Sequence, residues 1–322
     1  MKYKLTKKTK YIDNHTLYQI QAVEDFSNVK KGDLGGWVES EKNLSQYDDC
    51  WISNDACVYE NAVVSDNAQI SGEACVLGNV QISGKAVVSD NAQIYNDVCV
   101  YGNAQVYDVA RLYGYSRVRE NSKVYGWAQV THAAQISGNA QVYEKSCVCG
   151  TAQVCENAQV YGGAEVCGTA IVTKDAKVYG RVQLNHGITD FDVKENIKKL
   201  IGVSTNIGIV NDKFYAYKMV MKLNDGRLIS EYDNSFEYKI GEFSEVKNTD
   251  MTWDVSCTTG IHVGPLHYWY NKKCGGQIEI DNNVIEYSYV YIMVEVDIND
   301  VITCQNGKIR CKKVKTIGIC EF

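Results

Sequence analysis

The residues able to do chemistry are few and unevenly placed. Of five histidines, His262 and His267 fall with Cys257 and Cys274 inside one stretch of 18 residues near the carboxy-terminal end. Two thiolates and two imidazoles form a zinc donor set, because zinc takes sulfur and nitrogen ligands tetrahedrally. Their spacing is not that of a paired Cys-x-x-Cys knuckle, and a buried cysteine beside a turn explains the same residues without a metal. Cys304 and Cys311 add further thiols without completing a pattern. His132 stands by itself in mid-chain, in Trp127-Ala128-Gln129-Val130-Thr131-His132. As a general base it needs a substrate proton within reach and a site that excludes water. The competing reading is an exposed histidine at a turn. His186 is the nearest other imidazole, so a three-histidine zinc centre for hydration lacks ligands.

The element that must position His132 is a repeat. A small residue stands at every sixth position from Ala56 to Val182, with an aliphatic residue two places later, through 22 hexads without exception. Self-similarity at a short fixed period is the signature of a solenoid. A strand alternates its side chains between two faces, so in Ala104-Gln105-Val106-Tyr107 the pair Ala104 and Val106 points inward and the pair Gln105 and Tyr107 outward. The last two positions of each hexad are rich in Gly, Asn, Asp and Glu, which suit corners. Six-residue sides, three to a coil, predict a left-handed parallel β-helix of roughly seven coils, on the order of 35 Å long at about 4.8 Å per strand.

Residues 18 apart then stack on neighbouring coils. One outward position reads Tyr107, Tyr125, Tyr143, Tyr161 and Tyr179, a flat amphipathic strip. Tyrosine is favoured at interfaces because it joins an apolar ring to a polar tip, and stacked rings also stabilise the coils that carry them. Both roles stand. Cys57 with Cys75, and Cys149 with Cys167, are spaced the same way among the chain's 13 cysteines. In a reducing compartment these are expected to be small packing residues and not bridges.

The repeat resembles the hexapeptide-repeat family, in which a small residue follows an aliphatic one by four places, as in Val58 and Ala62, Ile70 and Ala74, and Val106 and Ala110. The stretch from Gln19 to Ile52, with Gly35-Gly36-Trp37, is similar to the start of a group of bacterial and phage hexapeptide proteins grouped as acyltransferases. The resemblance implies acyl transfer from acetyl-CoA, a histidine base such as His132, a loop that leaves the coil to shape the site, and a homotrimer with the site at a subunit interface. No such excursion interrupts Ala56 to Val182.

Past the repeat, Val193, Ile197, Leu200 and Ile201 are at helical spacing, which predicts a short amphipathic helix from Asp192 to Ile201 that plugs the last coil and stops at Gly202. From about Asn211 the period vanishes, and strands are expected at Phe214 to Leu223, Tyr289 to Val296, Asp300 to Ile302 and Lys312 to Ile319. Ala216-Tyr217-Lys218, Tyr238-Lys239-Ile240-Gly241, Gly260-Ile261-His262-Val263 and Val294-Glu295-Val296 resemble a domain of many phage proteins, which implies a phage origin and no activity. An aromatic-Lys strand followed by Gly-Ile-His also faintly resembles ADP-ribosyltransferases, which would cast Glu295 as the catalytic acid. No nucleotide-gripping Arg or His stands between Tyr215 and Val220.

The expected organisation is therefore an amino-terminal cap over 1–50, a β-helix over 51–187, a capping helix and linker over 188–210, and a smaller α+β domain over 211–322. A net charge of −6 argues against a protein built to hold nucleic acid. No apolar stretch is long enough to span a membrane, and the first residues lack a signal-peptide core, so a cytoplasmic protein is expected. The reading is a phage-derived binding or scaffold protein, self-associating as a trimer, whose rigid β-helix presents a carboxy-terminal recognition domain to a host protein or small ligand. The alternative is the acyltransferase, with acetyl-CoA as cofactor. Zinc is the cofactor only if the Cys257, His262, His267 and Cys274 set assembles.

Overall fold

The computed structural model describes residues 1–253, 258–269, 275–280 and 283–320. Two compact units divide the chain: Met1–Tyr179 with Leu184–Asp192, and Gly180–Gln183 with Val193–Phe322.

The first unit is a parallel β-solenoid. Its strands are two residues long, and each pairs in register with the strand 18 residues before and after, as Gln105–Val106 does with Val87–Val88 and Lys123–Val124. Three sheets result, each running through eight coils. The expectation of roughly seven coils is short by one. Trp51–Ile52 and Ile188–Thr189 join the ladders although they lie outside the strict hexads.

Burial follows the alternation. Ala104, Val106, Ala110 and Leu112 are fully buried, as are their counterparts along the array. The inward hydroxyls of Ser122 and Ser146 donate to the carbonyls of Arg119 and Tyr143, three residues back, so their burial leaves no polar group unmet.

Corners are the second rule. Every sixth residue from Asn54 to Gly180 has a positive φ, between 56° and 87°. Glycine takes this conformation without cost, and Asn and Asp tolerate it better than most residues. Where the corner residue is acidic, its carboxylate does further work. Asp66, Asp108, Glu120 and Glu144 each accept from the backbone N–H of the glycine 18 residues on, at 2.7–3.0 Å. A ladder of side-chain amides runs along another edge, Asn103 to Asn121 to Asn139 to Asn157 to Asp175, at 2.9–3.2 Å.

The amino-terminal strands extend one sheet of the solenoid. Tyr3–Ile12 and His15–Ala22 form a hairpin whose two turn residues, Asp13 and Asn14, both have positive φ, as a tight hairpin requires. Leu34–Val38 then pairs antiparallel to the hairpin and parallel to the first coil. Gly36 is needed there, since a Cβ would lie 2.5 Å from Ile52 Cγ2.

One cysteine expectation is corrected. Cys149 and Cys167 are joined by a disulfide across adjacent coils, with Cα atoms 4.5 Å apart, inside the range a bridge spans. Cys57 and Cys75 remain thiols. Their sulfurs are engaged elsewhere, Cys57 with the Asp55 carbonyl at 3.3 Å and Cys75 with the Tyr59 hydroxyl at 3.7 Å.

The second unit is mostly antiparallel strand. Its larger sheet runs in the order Leu228–Ile229, Lys213–Leu223, Asn283–Asp297, Lys313–Cys320, Phe243–Glu245, with Gly276–Ile280 also paired to Asn283–Asp297. Ile261–Val263, Lys308–Cys311 and Val301–Gln305 form a smaller sheet. Tyr217 and Gly264 exchange backbone hydrogen bonds and tie the two sheets together. The helix is Ile197–Thr205, later than the expected span. Asn196 caps its start by accepting from the Lys199 N–H, Gly202 lies inside it, and Asn206 in the left-handed region ends it. It packs on Val301–Gln305 of its own unit. Among the described residues no helix is long and apolar enough to cross a membrane.

Candidate functional site

The solenoid carries Tyr107, Tyr125, Tyr143, Tyr161 and Tyr179 as a continuous stack. Successive ring centroids are 4.9 Å apart and the planes are within 9° of parallel. The spacing is the coil rise, so each half-buried phenol covers a face of the next. Tyr125 donates to the Gln141 side-chain carbonyl at 3.1 Å, and Tyr179 to Asp192 at 3.0 Å. Burial, with the neighbouring phenol and carboxylate charges adding to it, pushes Tyr143 up to about 12. Burial likewise raises Tyr107, Tyr125 and Tyr161, so these phenols stay uncharged well above neutral pH.

His132 is an exposed corner residue with φ 58°. Gly114 and Gly150 occupy the corners of the coils on either side, so no neighbouring side chain stacks over it from that column. Its described side-chain contact is with the Thr131 hydroxyl at 3.4 Å.

The zinc set is only partly described. His262 lies in Ile261–Val263 and His267 in the short 3-10 turn Leu266–Trp269, where it is exposed. Cys257 and Cys274 lie outside the described residues. Among the described residues no three or more His, Cys, Asp or Glu side chains are grouped to hold a metal. Glu295 accepts from Lys213 at 2.8 Å and from Tyr215 at 3.3 Å, and the Lys213 ammonium holds its carboxyl below the usual range. It is tied into a surface ion pair and does not line the cavity described next.

That cavity lies in the second unit and was not anticipated. It has a volume of about 470 Å³ and opens between the two sheets. Its wall is largely aromatic, from Phe236, Tyr238, Tyr268 and Trp269, and Lys218 reaches into it. Strand Lys213–Leu223 places Phe214, Ala216, Lys218 and Val220 in its buried alternation, so a lysine takes a core slot. Lys218 is 6 % exposed. Its ammonium donates to the His262 carbonyl at 3.3 Å and sits 5.6 Å from the Tyr238 ring centre and 5.9 Å from that of Trp269. Among the described residues no carboxylate is within ion-pair distance of it. Burial pushes Lys218 down to about 8, reinforced by the Lys308 ammonium and opposed by Glu231.

The cage is braced from behind. Trp269 Nε1 donates to the Tyr217 carbonyl at 2.8 Å, and Tyr291 donates to the Trp269 carbonyl at 2.9 Å. Glu231, at the rim, accepts from Tyr289 at 3.0 Å, and Asp233 accepts from Ser235. The sequence did carry a signal: a lysine at period two between Ala216 and Val220 on the apolar face of the strand.

Comparison with known proteins agrees with the first unit. A family model described as the YdcK Beta solenoid repeat matches residues 92–108, close to one coil. No curated protein matches the chain. The chain is a repeat β-solenoid protein.

Proposed function

We propose that this is a binding and scaffold protein, in which a rigid β-solenoid presents the carboxy-terminal unit for recognition. The observation that carries the reading is the unbroken run of positive-φ corners from Asn54 to Gly180. With no excursion, the solenoid has nowhere to fold a loop over a reacting centre, whereas its stacked coils give stiffness through nearest-neighbour contacts. The aromatic cavity of the second unit is the recognition element. The tyrosine strip serves as the seam of a homotrimer, since its faces are satisfied by stacking while its half-buried edges form a flat surface for another chain. Phage origin and a cytoplasmic setting belong to the same proposal, the former resting on the resemblance of the carboxy-terminal unit.

A native mass spectrum of the full chain with acetyl-CoA tests it. A trimer without cofactor is expected, and it should fall to monomer when Tyr125 and Tyr161 are replaced by serine. A bound acetyl-CoA lost in His132→Ala would replace the scaffold with the acyltransferase, and a zinc-sized excess would redirect attention to Cys257, His262, His267 and Cys274.

A further inference from the structure

We infer that the cavity between the sheets of the carboxy-terminal unit binds an organic carboxylate carried on a flat aromatic body, the acid against Lys218 and the rings against Tyr238, Trp269 and Phe236. The inference deepens the recognition role proposed for this unit and rests on it.

An ammonium buried without a counter-charge is costly, and proteins pair such groups or neutralise them. Lys218 has three N–H donors but one protein acceptor, the His262 carbonyl. The lining carboxylates Glu231 and Asp233 accept from Tyr289 and Ser235 and make no ion pair with Lys218, although Glu231 acts on it through space. Lys308, 9 % exposed, adds a second positive group to the wall. Lys218 is thus short of hydrogen-bond acceptors at the cavity wall, which the two oxygens of a carboxylate would supply.

The rest of the wall selects what carries that carboxylate. Ring faces and Ile261 and Met219 form most of it, so the remainder of the ligand is apolar. Flat rings complement the faces of Trp269 and Tyr238. Bidentate phosphate recognition uses arginine forks, and the described lining of this cavity holds no arginine. A singly charged carboxylate satisfies Lys218 without a multiply charged group to desolvate. The volume of about 470 Å³ is in the range of small-molecule sites.

Calorimetry on the full chain with 2-naphthoate and its neutral isostere 2-naphthamide tests this. The acid is expected to bind at least tenfold tighter than the amide. In Lys218→Met, which keeps the length and removes the charge, the two should come within twofold. The wild-type comparison decides the matter even if that variant fails to fold. Equal binding of acid and amide overturns the carboxylate and leaves recognition standing; binding of neither overturns both. A persistent tenfold preference in Lys218→Met also overturns the assignment. N-acetyl-Gly-Trp, as free acid and as amide, separates the sources of the same chemistry. Tighter binding of the peptide acid assigns a chain terminus, and tighter binding of naphthoate a free aromatic acid, both within the proposal.

Discussion

Lys2 and Lys218 are both buried, one in each unit, and their surroundings differ. Lys2, 3 % exposed, donates to the carbonyls of Tyr47, Asp48 and Cys50 at 3.1, 3.0 and 2.9 Å, with the Phe26 ring 5.1 Å away. Every N–H has an acceptor, so the ammonium locks the amino-terminal segment to the loop that enters the first coil. Lys218 has one carbonyl and two rings. Equal burial therefore serves opposite ends. A charge whose partners are all in place is a structural rivet, and a charge left short of partners beside a cavity is a place for a ligand.

Removing the rivet should have the larger effect. Lys2→Met leaves three carbonyls without this donor, the Cys50 one buried, and is expected to destabilise the cap by about 2 kcal/mol. Thermal unfolding, with hydrogen exchange across 43–52 as the local readout, measures this. A neutral outcome would erase the distinction between the two lysines.

Lys218 should make the stability of its unit depend on pH. Its native pKa of about 8 lies below the unfolded value, so between the two the unfolded chain holds a proton that the native chain has released. Stability of the second unit should therefore rise by about 2 kcal/mol from about pH 8 to about pH 10. Lys218→Met should flatten that rise. Denaturant titrations of both proteins across the window give the difference, which cancels the contribution of other groups.

A third test extends the comparison to side chains that partner copies of themselves. Tyr143→Ser removes two ring contacts from the ladder. The expected cost is about 1 kcal/mol. Hydrogen exchange should locate it in the coils on either side, because a solenoid transmits little beyond its neighbours.

The smallest effect concerns His15. The Glu39 carboxylate at 2.9 Å holds its imidazole above the ordinary value, and Glu60 lies 3.6 Å from the other ring nitrogen. A raised folded-state pKa gives stability that is present at low pH and lost as pH rises through that pKa. The hairpin should thus exchange faster above neutrality, and His15→Gln should remove the dependence.

The hexad rule legibly encoded the solenoid, its core and the stacking of the tyrosines, because every one of these is a local pattern repeated at fixed spacing. The amide ladder from Asn103 to Asp175 was equally readable at the same period, had that column been followed. The helix boundary was less so. Gly202 looked like a stop, but Asn196 and Asn206 set the ends through hydrogen bonds and a left-handed turn.

What the sequence alone determined is periodic: strand alternation, corner chemistry and the coil length follow from residues within 18 positions of one another. The tertiary structure decided the rest, because it depended on groups far apart in the chain. Cys149 and Cys167 bond while Cys57 and Cys75, identically spaced, do not. The cavity exists because Lys218, Tyr238, His262 and Trp269 converge from separate strands and turns. No spacing rule links those four residues. Only folding gives the Lys218 ammonium its low-dielectric surroundings and its single protein acceptor.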